Sequence, residues 1–446
     1  MRYRVIAATI AAMHSFHYCD GRLFCEEVEL ASAAERFGTP LYVYSAGTIL
    51  DHYQRLDQAL AGLDHLICYA VKANSNRAIL HLLAEAGAGF DIVSGGELYR
   101  VIRASGDASK CTFAGVGKSR EEIEYALEQQ VYSFNIESEA ELDYINQIAV
   151  AKNLRAAIAL RVNPDVVAPT HKYIATGQSE NKFGVPLDRV ATVYERAAKM
   201  PNIIIRGIQM HIGSQITEAA PFVAAIETIA PLVGKLKSRY PLEFFSIGGG
   251  LGIAYESSIA SGRADWWAAN RSHPLTISDY ANAIVPQLEK TGLRILLEPG
   301  RLLVGNAGVL LTRVRYIKET GQKKFAIVDA GMNDLIRPAL YGSYHEIVPV
   351  KESHASTSKI DIVGPVCESG DFFAQERDMP PLQAGDLLAI MSAGAYGFAM
   401  ASTYNSRPLP AEALVRGDKV ALVRERQVLE DLTRGEVDPK WQQRRP

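Results

Sequence analysis

Between residues 65 and 300 the chain repeats one unit, a short apolar or β-rich run followed by a longer stretch of helical period, and it does so eight times. Parallel strands need a long crossover, and a helix is the usual one, so the alternation predicts parallel β/α units. The eight predicted strands are LICYAVKA (66–73), GFDIV (89–93), CTFAG (111–115), YSFNI (132–136), RAAIALRV (155–162), IIIRGIQMHI (203–212), EFFSIGG (243–249) and RILLEPG (294–300). Local chemistry marks the helices between them. Ser119 and Glu122, for instance, make a capping box ahead of Ile123, Ala126 and Leu127. Eight units suggest a closed (β/α)8 TIM barrel, with an open doubly wound sheet as the competitor on pattern alone. The polar residues favour the barrel. Lys72, Asp91, Asn135, Arg161, Asn163, His211, Gly248 to Gly250 and Glu298 all fall at or just beyond the carboxyl ends of these strands. In a barrel those ends converge on one mouth, where the chemistry sits.

After Gly300 the helical period largely disappears. LLVGNAGVLLTRVRYIK, KFAIVDA, KIDIVGP, DLLAIMSA and KVALVRE alternate or run apolar between Gly, Pro and Asp breaks, which predicts a second, mostly antiparallel β domain. Residues 22–45 read as a strand, a helix over ELASAAERFG and a strand, PLYVYSA, that could join either part. The expected division is an N-terminal extension at 1–12, disordered or non-native, a barrel at 46–305, and a β domain built from 13–45 and 306–446.

Hydrophobic residues make up 48% of the 446, enough for a sizeable core, and the formal charge of −3 has no basic block beyond the tail KWQQRRP, so nucleic acid is not expected as a partner. The five cysteines form no CxxC pair and have no histidines at zinc spacing, which fits a reducing, cytoplasmic setting with no metal. No apolar run reaches the roughly 20 residues needed to span a bilayer. The start, MRYRVIAATIAAM, imitates a short signal peptide; an extended or non-native start before Met13 is the expected reading.

Several motifs fail on inspection. GVGKS (115–119) lacks the first glycine of a P-loop, because Thr112 stands there, and SIGGGLG carries Ile253 where a dinucleotide turn needs its third glycine. Neither ATP nor NAD is expected. His345 and His354 lack the HExxH register and read as ordinary surface or interface histidines. Lys72 is different. A strand terminus in a mouth forces its amine close to other groups, where desolvation lowers the pKa and frees the lone pair for Schiff-base chemistry. Three glycines at 248–250 let backbone N–H groups approach a phosphate, and EPGR (298–301) supplies a carboxylate, a second glycine turn and an arginine. A Schiff-base lysine, a phosphate cradle and a carboxylate around one cavity meet the needs of pyridoxal 5′-phosphate. His211 could stack on its ring and Ser214 could donate to its phosphate, although a packed core histidine is an equally good reading of His211 in isolation.

These motifs, from YAVKANSN around Lys72 and GFDIVSGGEL around Asp91 through HKYIATG, NKFG, HIGSQ, SIGGGLG and EPGR to IRPALYG, CESGD and AGAYGFAMASTYNSRP, resemble those of the fold-type III pyridoxal phosphate decarboxylases, most closely their diaminopimelate branch. CESGD (367–371) and RPALYG (337–342) are the branch-specific ones. The resemblance covers nearly the whole chain from about Met13. It implies an alanine-racemase-type barrel with a β domain, assembled as a homodimer with active sites completed across the interface. It implies cofactor contacts from Lys72, which bonds the aldehyde, and from Asp91, His211, Ser214, Gly249, Gly250, Glu298, Pro299, Gly300, Arg301 and Tyr396. It implies substrate contacts from Arg301, Arg337, Tyr341, Glu368 and Tyr396, and a proton donor in Cys367. The implied reaction is loss of carbon dioxide from meso-2,6-diaminoheptanedioate to give L-lysine, the last step of lysine biosynthesis. Glu298 beside the ring nitrogen separates decarboxylation from racemisation, for which an arginine there would be suited. The alternatives are decarboxylation of another amino acid such as D-ornithine or D-lysine, a cofactor carrier without turnover, and an aldolase that uses Lys72 alone.

Overall fold

The structure is a computed structural model that describes residues 13–166, 182–270, 273–439 and Trp441. The extension at 1–12, the motif HKYIATG, Asn181 of NKFG and most of the basic tail lie outside the described residues. All eight predicted β/α strands form: His65–Ala70 (β1), Gly89–Ile92 (β2), Cys111–Phe113 (β3), Ser133–Ile136 (β4), Ala156–Asn163 (β5), Ile203–Gln209 (β6), Phe244–Ser246 (β7) and Arg294–Leu297 (β8). Each pairs in parallel with the next. β8 then pairs with β1, Ile295 opposite His65 and Leu297 opposite Ile67, so the sheet closes and the open alternative is excluded.

Side-chain alternation explains why the strands carry apolar residues on both faces. Leu66 and Cys68 of β1 join Ala159, Phe244 and Leu296 in a small cluster inside the barrel, while Ile67 and Tyr69 pack in the main core under the helices. Gly207 serves the inner packing: a Cβ there would lie 2.4 Å from the Phe244 ring. Short polar residues just past the strand ends start the helices. Asn76, Ser94, Ser119, Ser138 and Thr276 each accept a backbone N–H at a helix N-terminus, and Ser119 with Glu122 completes the expected capping box. The strands are shorter than the apolar runs suggested. β6 stops at Gln209, and Lys72 lies on a single 3₁₀ turn, Val71–Ala73, beyond the end of β1.

The second sheet settles the placement of residues 22–45. Leu41–Ser45 sits in its middle, antiparallel to Gly308–Glu319 and parallel to Ala411–Arg416. The sheet extends through Lys324–Val328, Ser358–Val363 and Phe372–Met379 on one side and Lys419–Arg424 on the other, with Leu387–Ile390 and Ile347–Pro349 branching from Gly308–Glu319. Most pairings are antiparallel, as expected; Lys324–Val328 with Ser358–Val363 is the other parallel one. The segment ELASAAERFG forms the helix Leu30–Phe37, and Phe16–Cys19, Arg22–Cys25 and Val28–Glu29 make a small sheet of their own. Helical structure does recur after Gly300, in the short helices Arg301–Val304 and Arg337–Tyr341. His345, expected at the surface or at an interface, is fully buried within the chain, with its ring edge against Tyr255. No described helix is long and apolar enough to cross a membrane.

Barrel and sheet meet backbone to backbone. Gly394 donates its N–H to Gly305 O at 3.1 Å and accepts from Asn74 Nδ2 at 3.1 Å, and Ser45 N donates to Ala307 O at 2.8 Å. A Cβ on Gly394 would stand 1.9 Å from Val304 O, and a backbone oxygen cannot swing aside. Gly394→Ala is therefore expected to destabilise the protein by about 1–3 kcal/mol or more, through overpacking. Thermal unfolding checks this against Gly321→Ala, a site with open space around it, whose melting temperature should stay close to that of the unaltered chain.

Candidate active site

A cavity of about 850 Å3 opens at the carboxyl ends of the barrel strands, and it gathers Lys72, Asp91, His211, Ser214, Gly250, Glu298, Pro299, Gly300, Arg301, Arg337, Tyr341 and Tyr396. The register of β1 against β2 sets Ala70 opposite Asp91, and two residues later Lys72 Nζ donates to Asp91 Oδ2 at 2.7 Å. Asp91 is buried, whereas Lys72 leaves 41% of its side chain open to the cavity. This pair reverses one expectation. Removal from water alone would lower the ammonium's pKa, but the charge and hydrogen bond of Asp91, with Tyr396 and Glu298 adding to them, together outweigh it, and Lys72 is held above its ordinary value. The amine is thus a parked ammonium, oriented by Asp91.

The EPGR turn lies beside it because Ala70 N donates to Pro299 O at 2.9 Å. Glu298, the first residue beyond β8, accepts Ser246 Oγ at 2.7 Å and Gln209 Nε2 at 3.0 Å. Those two donors are the last residues of β7 and β6, and neither was singled out by motif; position at a strand end was the available signal. The triple-glycine turn is pressed against its neighbours: a Cβ on Gly249 would meet Glu298 O at 2.2 Å, and one on Gly250 would meet Gly213 O at 2.4 Å. Gly248 and Gly250 also adopt φ of +71° and +111°. Gly249 N donates to His211 Nδ1 at 3.2 Å, which leaves the ring proton on Nε2. Burial, with Arg161 and then Lys72 adding to it, holds His211 well below its ordinary pKa, so the imidazole is neutral.

Across the cavity, Arg301 Nη2 donates to Ser214 Oγ at 3.1 Å and its guanidinium lies 4.9 Å from the centre of the Tyr396 ring. Tyr396 in turn is tied to the lysine turn, its N–H donating to Ala73 O at 2.8 Å. Arg337 enters from the helix Arg337–Tyr341, close to Arg301 on the shared side chain of Tyr255. Two expected site residues are elsewhere. Cys367 and Glu368 sit on an exposed loop; Cys367 N donates to Asn405 Oδ1 at 3.0 Å, and Glu368 accepts Tyr404 Oη at 2.6 Å beside a shallow recess distinct from the Lys72 cavity.

Three buried polar atoms of cavity-lining residues, Asp91 Oδ1, Gln209 Oε1 and Arg301 Nε, have no hydrogen-bond partner among the described residues. Buried polar groups are normally paired, so a polar guest fits this cavity better than an apolar one. An amine, a neutral imidazole face, a glycine cradle and a buried acid suit a phosphorylated pyridine aldehyde. Burial, then the nearby charge of Asp91, pushes the Glu298 carboxyl up to about 7. A folded acid that holds its proton more tightly than the unfolded chain contributes stability below the unfolded pKa and loses it as pH rises through the folded one. The urea midpoint of the cofactor-free protein should therefore fall between about pH 5 and about pH 7.5, and Glu298→Gln should flatten that fall. The variant keeps its neighbours satisfied, because Gln209 can turn its unpartnered Oε1 toward the new amide.

Comparison with known proteins agrees with this chemistry. The family model "Pyridoxal-dependent decarboxylase, pyridoxal binding domain" matches residues 46–305. The diaminopimelate decarboxylase of Vibrio cholerae is 47% identical, with 94% of this chain and 98% of that protein covered, and that of Pseudomonas aeruginosa is 48% identical, with 95% and 99% covered. Among solved structures, diaminopimelate decarboxylase from Helicobacter pylori complexed with L-lysine superposes with a TM-score of 0.85 at 40% identity, covering 91% of this chain and 98% of that one. The enzyme from M. jannaschii, also with L-lysine, gives 0.88 at 37% identity, covering 95% and 98%. A barrel whose strand ends carry a lysine, a glycine cradle and a buried acid, matched over this much of its length, makes the chain a member of the pyridoxal-dependent decarboxylase family.

Proposed function

We propose that this protein is a diaminopimelate decarboxylase, which removes one carboxylate of meso-2,6-diaminoheptanedioate as carbon dioxide and releases L-lysine, using pyridoxal 5′-phosphate. The observation that carries the reading is the polarity of one cavity. Lys72, Asp91 and Glu298 share its lining with the paired guanidiniums of Arg301 and Arg337. A substrate with a carboxylate at each end can engage both sets. Lysine or ornithine would leave the arginine pair facing no anion, at a desolvation cost.

When bound, pyridoxal phosphate supplies an aldehyde for an amine and an electron-accepting ring. The chain's own groups do the rest. Lys72 would hold the aldehyde carbon through Nζ, once its ammonium proton is lost and the aldehyde oxygen leaves as water, and Asp91 would orient that nitrogen. The Gly250 N–H and the Ser214 hydroxyl would take the phosphate, with Gly249, whose own N–H is held by His211, and Pro299 and Gly300 shaping the turns beside it. Neutral His211 offers an uncharged face for stacking, so it does not compete for electrons as a cation would. Glu298 pairs with the ring nitrogen; its raised pKa means that it can give that site either a proton or a negative charge near neutrality. Arg301, Arg337, Tyr341 and Tyr396 hold the substrate so that the scissile bond is oriented for cleavage. One carbon–carbon bond breaks, carbon dioxide leaves, and the same carbon takes up one proton from a thiol or an ammonium.

Cys367 as that donor, and Glu368 as partner of the distal ammonium, require a second copy of the chain, because both residues lie outside the Lys72 cavity of their own chain. We therefore read the working enzyme as a cytoplasmic homodimer. Residues 46–305 contribute the barrel, and 13–45 with 306–446 form the domain that lends Cys367 and Glu368 across the interface. Lys72→Ala should abolish both the visible absorption band that follows cofactor addition and carbon dioxide release; retention of both would refute the assignment. Cys367→Ala should keep the band and slow turnover. Co-refolding the two variants gives a sharper outcome: if sites are shared, half of the dimers regain one intact site of two, so roughly a quarter of the original activity should return. Activity that stays at the level of the separate variants would place both residues in one chain's site.

A further inference from the structure

Tyr255 lies in the crossover after β7, just past the glycine turn, in a segment whose composition did not single it out. Its Oη accepts Arg337 Nη1 at 2.6 Å and also accepts Arg301 Nη1. The two guanidiniums stand 5.0 and 5.8 Å from the centre of its ring. On another side the ring meets buried His345 edge to face, centroids 5.2 Å apart at 80°, and His345 Nδ1 is 2.8 Å from Met391 O. The phenol is thus held by packing from the sheet as well as by the two arginines.

Arg301 and Arg337 are 6% and 5% exposed. Like charges this close in a poorly solvated site repel, and such a pair persists only with a negative or dipolar group between them. A phenol oxygen has two acceptor lone pairs and one proton. Here both acceptor positions are taken by guanidinium N–H groups, so the proton is what remains to be donated, and Tyr255 lines the cavity. Arg301 Nε, beside it, is a buried donor without an acceptor among the described residues. The cluster therefore presents donors and no anion. Burial alone would raise the pKa of the phenol, but Arg301 and Arg337 outweigh it and bring it below its ordinary value, consistent with a hydroxyl that donates strongly.

We propose that Tyr255 is a positioning residue that holds Arg301 and Arg337 side by side as a preformed receptor for the substrate carboxylate remote from the reacting carbon, and that its hydroxyl donates a third contact to that carboxylate. The inference rests on the reading above that these arginines receive that end of the substrate. Tyr255→Phe keeps the ring, its packing on His345 and its cation contacts, and removes only the shared oxygen.

In the cofactor-loaded enzyme, Tyr255→Phe should keep the absorption band, while the melting temperature falls slightly because two buried guanidiniums lose their shared acceptor. The KM for meso-2,6-diaminoheptanedioate should rise about tenfold, the size expected for losing a charge-assisted contact, while kcat changes by less than about threefold. Heptanedioate, which has two carboxylates and no reacting amine, should inhibit the variant correspondingly less. In an Arg337→Lys background the same substitution should add less than about twofold, because the shared partner is already altered. Unchanged KM and unchanged heptanedioate inhibition would overturn the proposal, as would a loss confined to kcat or full additivity with Arg337→Lys. If the unaltered enzyme released no carbon dioxide from the diamino acid, the functional reading would fall by itself. Heptanedioate binding, followed by its perturbation of the cofactor band, would still decide the role of Tyr255.

Discussion

The pairing of β8 with β1 is the constraint on which the site depends. It brings the end of the chain's last barrel strand against the first, and the bond from Ala70 N to Pro299 O continues that contact one step past the strands. Lys72 and Glu298, at opposite ends of the barrel sequence, become neighbours across a single cavity. Closure also leaves no free strand edge inside the barrel, so polar groups at the mouth are presented by short turns on a rigid frame. The glycine turn at 248–250 shows how tight that frame is, because none of its three positions has room for even a methyl group.

Within the frame, the buried charges are arranged by sign. Asp91 and Glu298 lie toward the lysine, and Arg161, Arg301 and Arg337 lie around the remaining walls. Each acid is handled differently. Asp91 is matched by an ammonium at 2.7 Å, whereas Glu298 receives the neutral donors Ser246 and Gln209, and burial followed by the charge of Asp91 raises its proton affinity in spite of those two bonds. Two carboxyl groups in one cavity thereby acquire separate duties, one orienting an amine and one exchanging a proton near neutrality. The cations are matched more sparingly. Arg161 has Glu137 at 2.8 Å, but Arg301 and Arg337 share one phenol, which leaves that corner able to take an anion.

The second sheet contributes to this chemistry as well as to stability. Tyr396, Arg337 and Tyr341 reach the cavity from segments beyond the barrel, and the junction that delivers them is made of backbone contacts at Gly394, Ala307 and Ala73. Asn76, at the end of the lysine turn, donates to buried Glu412 at 2.9 Å, and Glu412 also accepts Tyr44 Oη at 2.7 Å. The turn that carries the Lys72 amine is therefore anchored on both sides, by the barrel below and by the sheet above.

Strand count, helix starts and the row of polar residues at the strand ends were legible in the sequence, because periodicity and capping act over a few residues. The same locality made Lys72, Asp91, the glycine turn and Glu298 readable as candidates. What the sequence alone could not decide were contacts between distant segments: closure of the sheet, the place of Leu41–Ser45 between two strands from the far end of the chain, and the burial of His345. The protonation of Lys72 belongs with these, since burial lowers an ammonium and a carboxylate 2.7 Å away raises it. So does Tyr255, an unremarked tyrosine in a loop until folding sets two arginines on its oxygen. Local pattern determined which groups stand at the mouth; tertiary packing decided what each one faces, because charge and hydrogen-bond energies depend on distance in space and not along the chain.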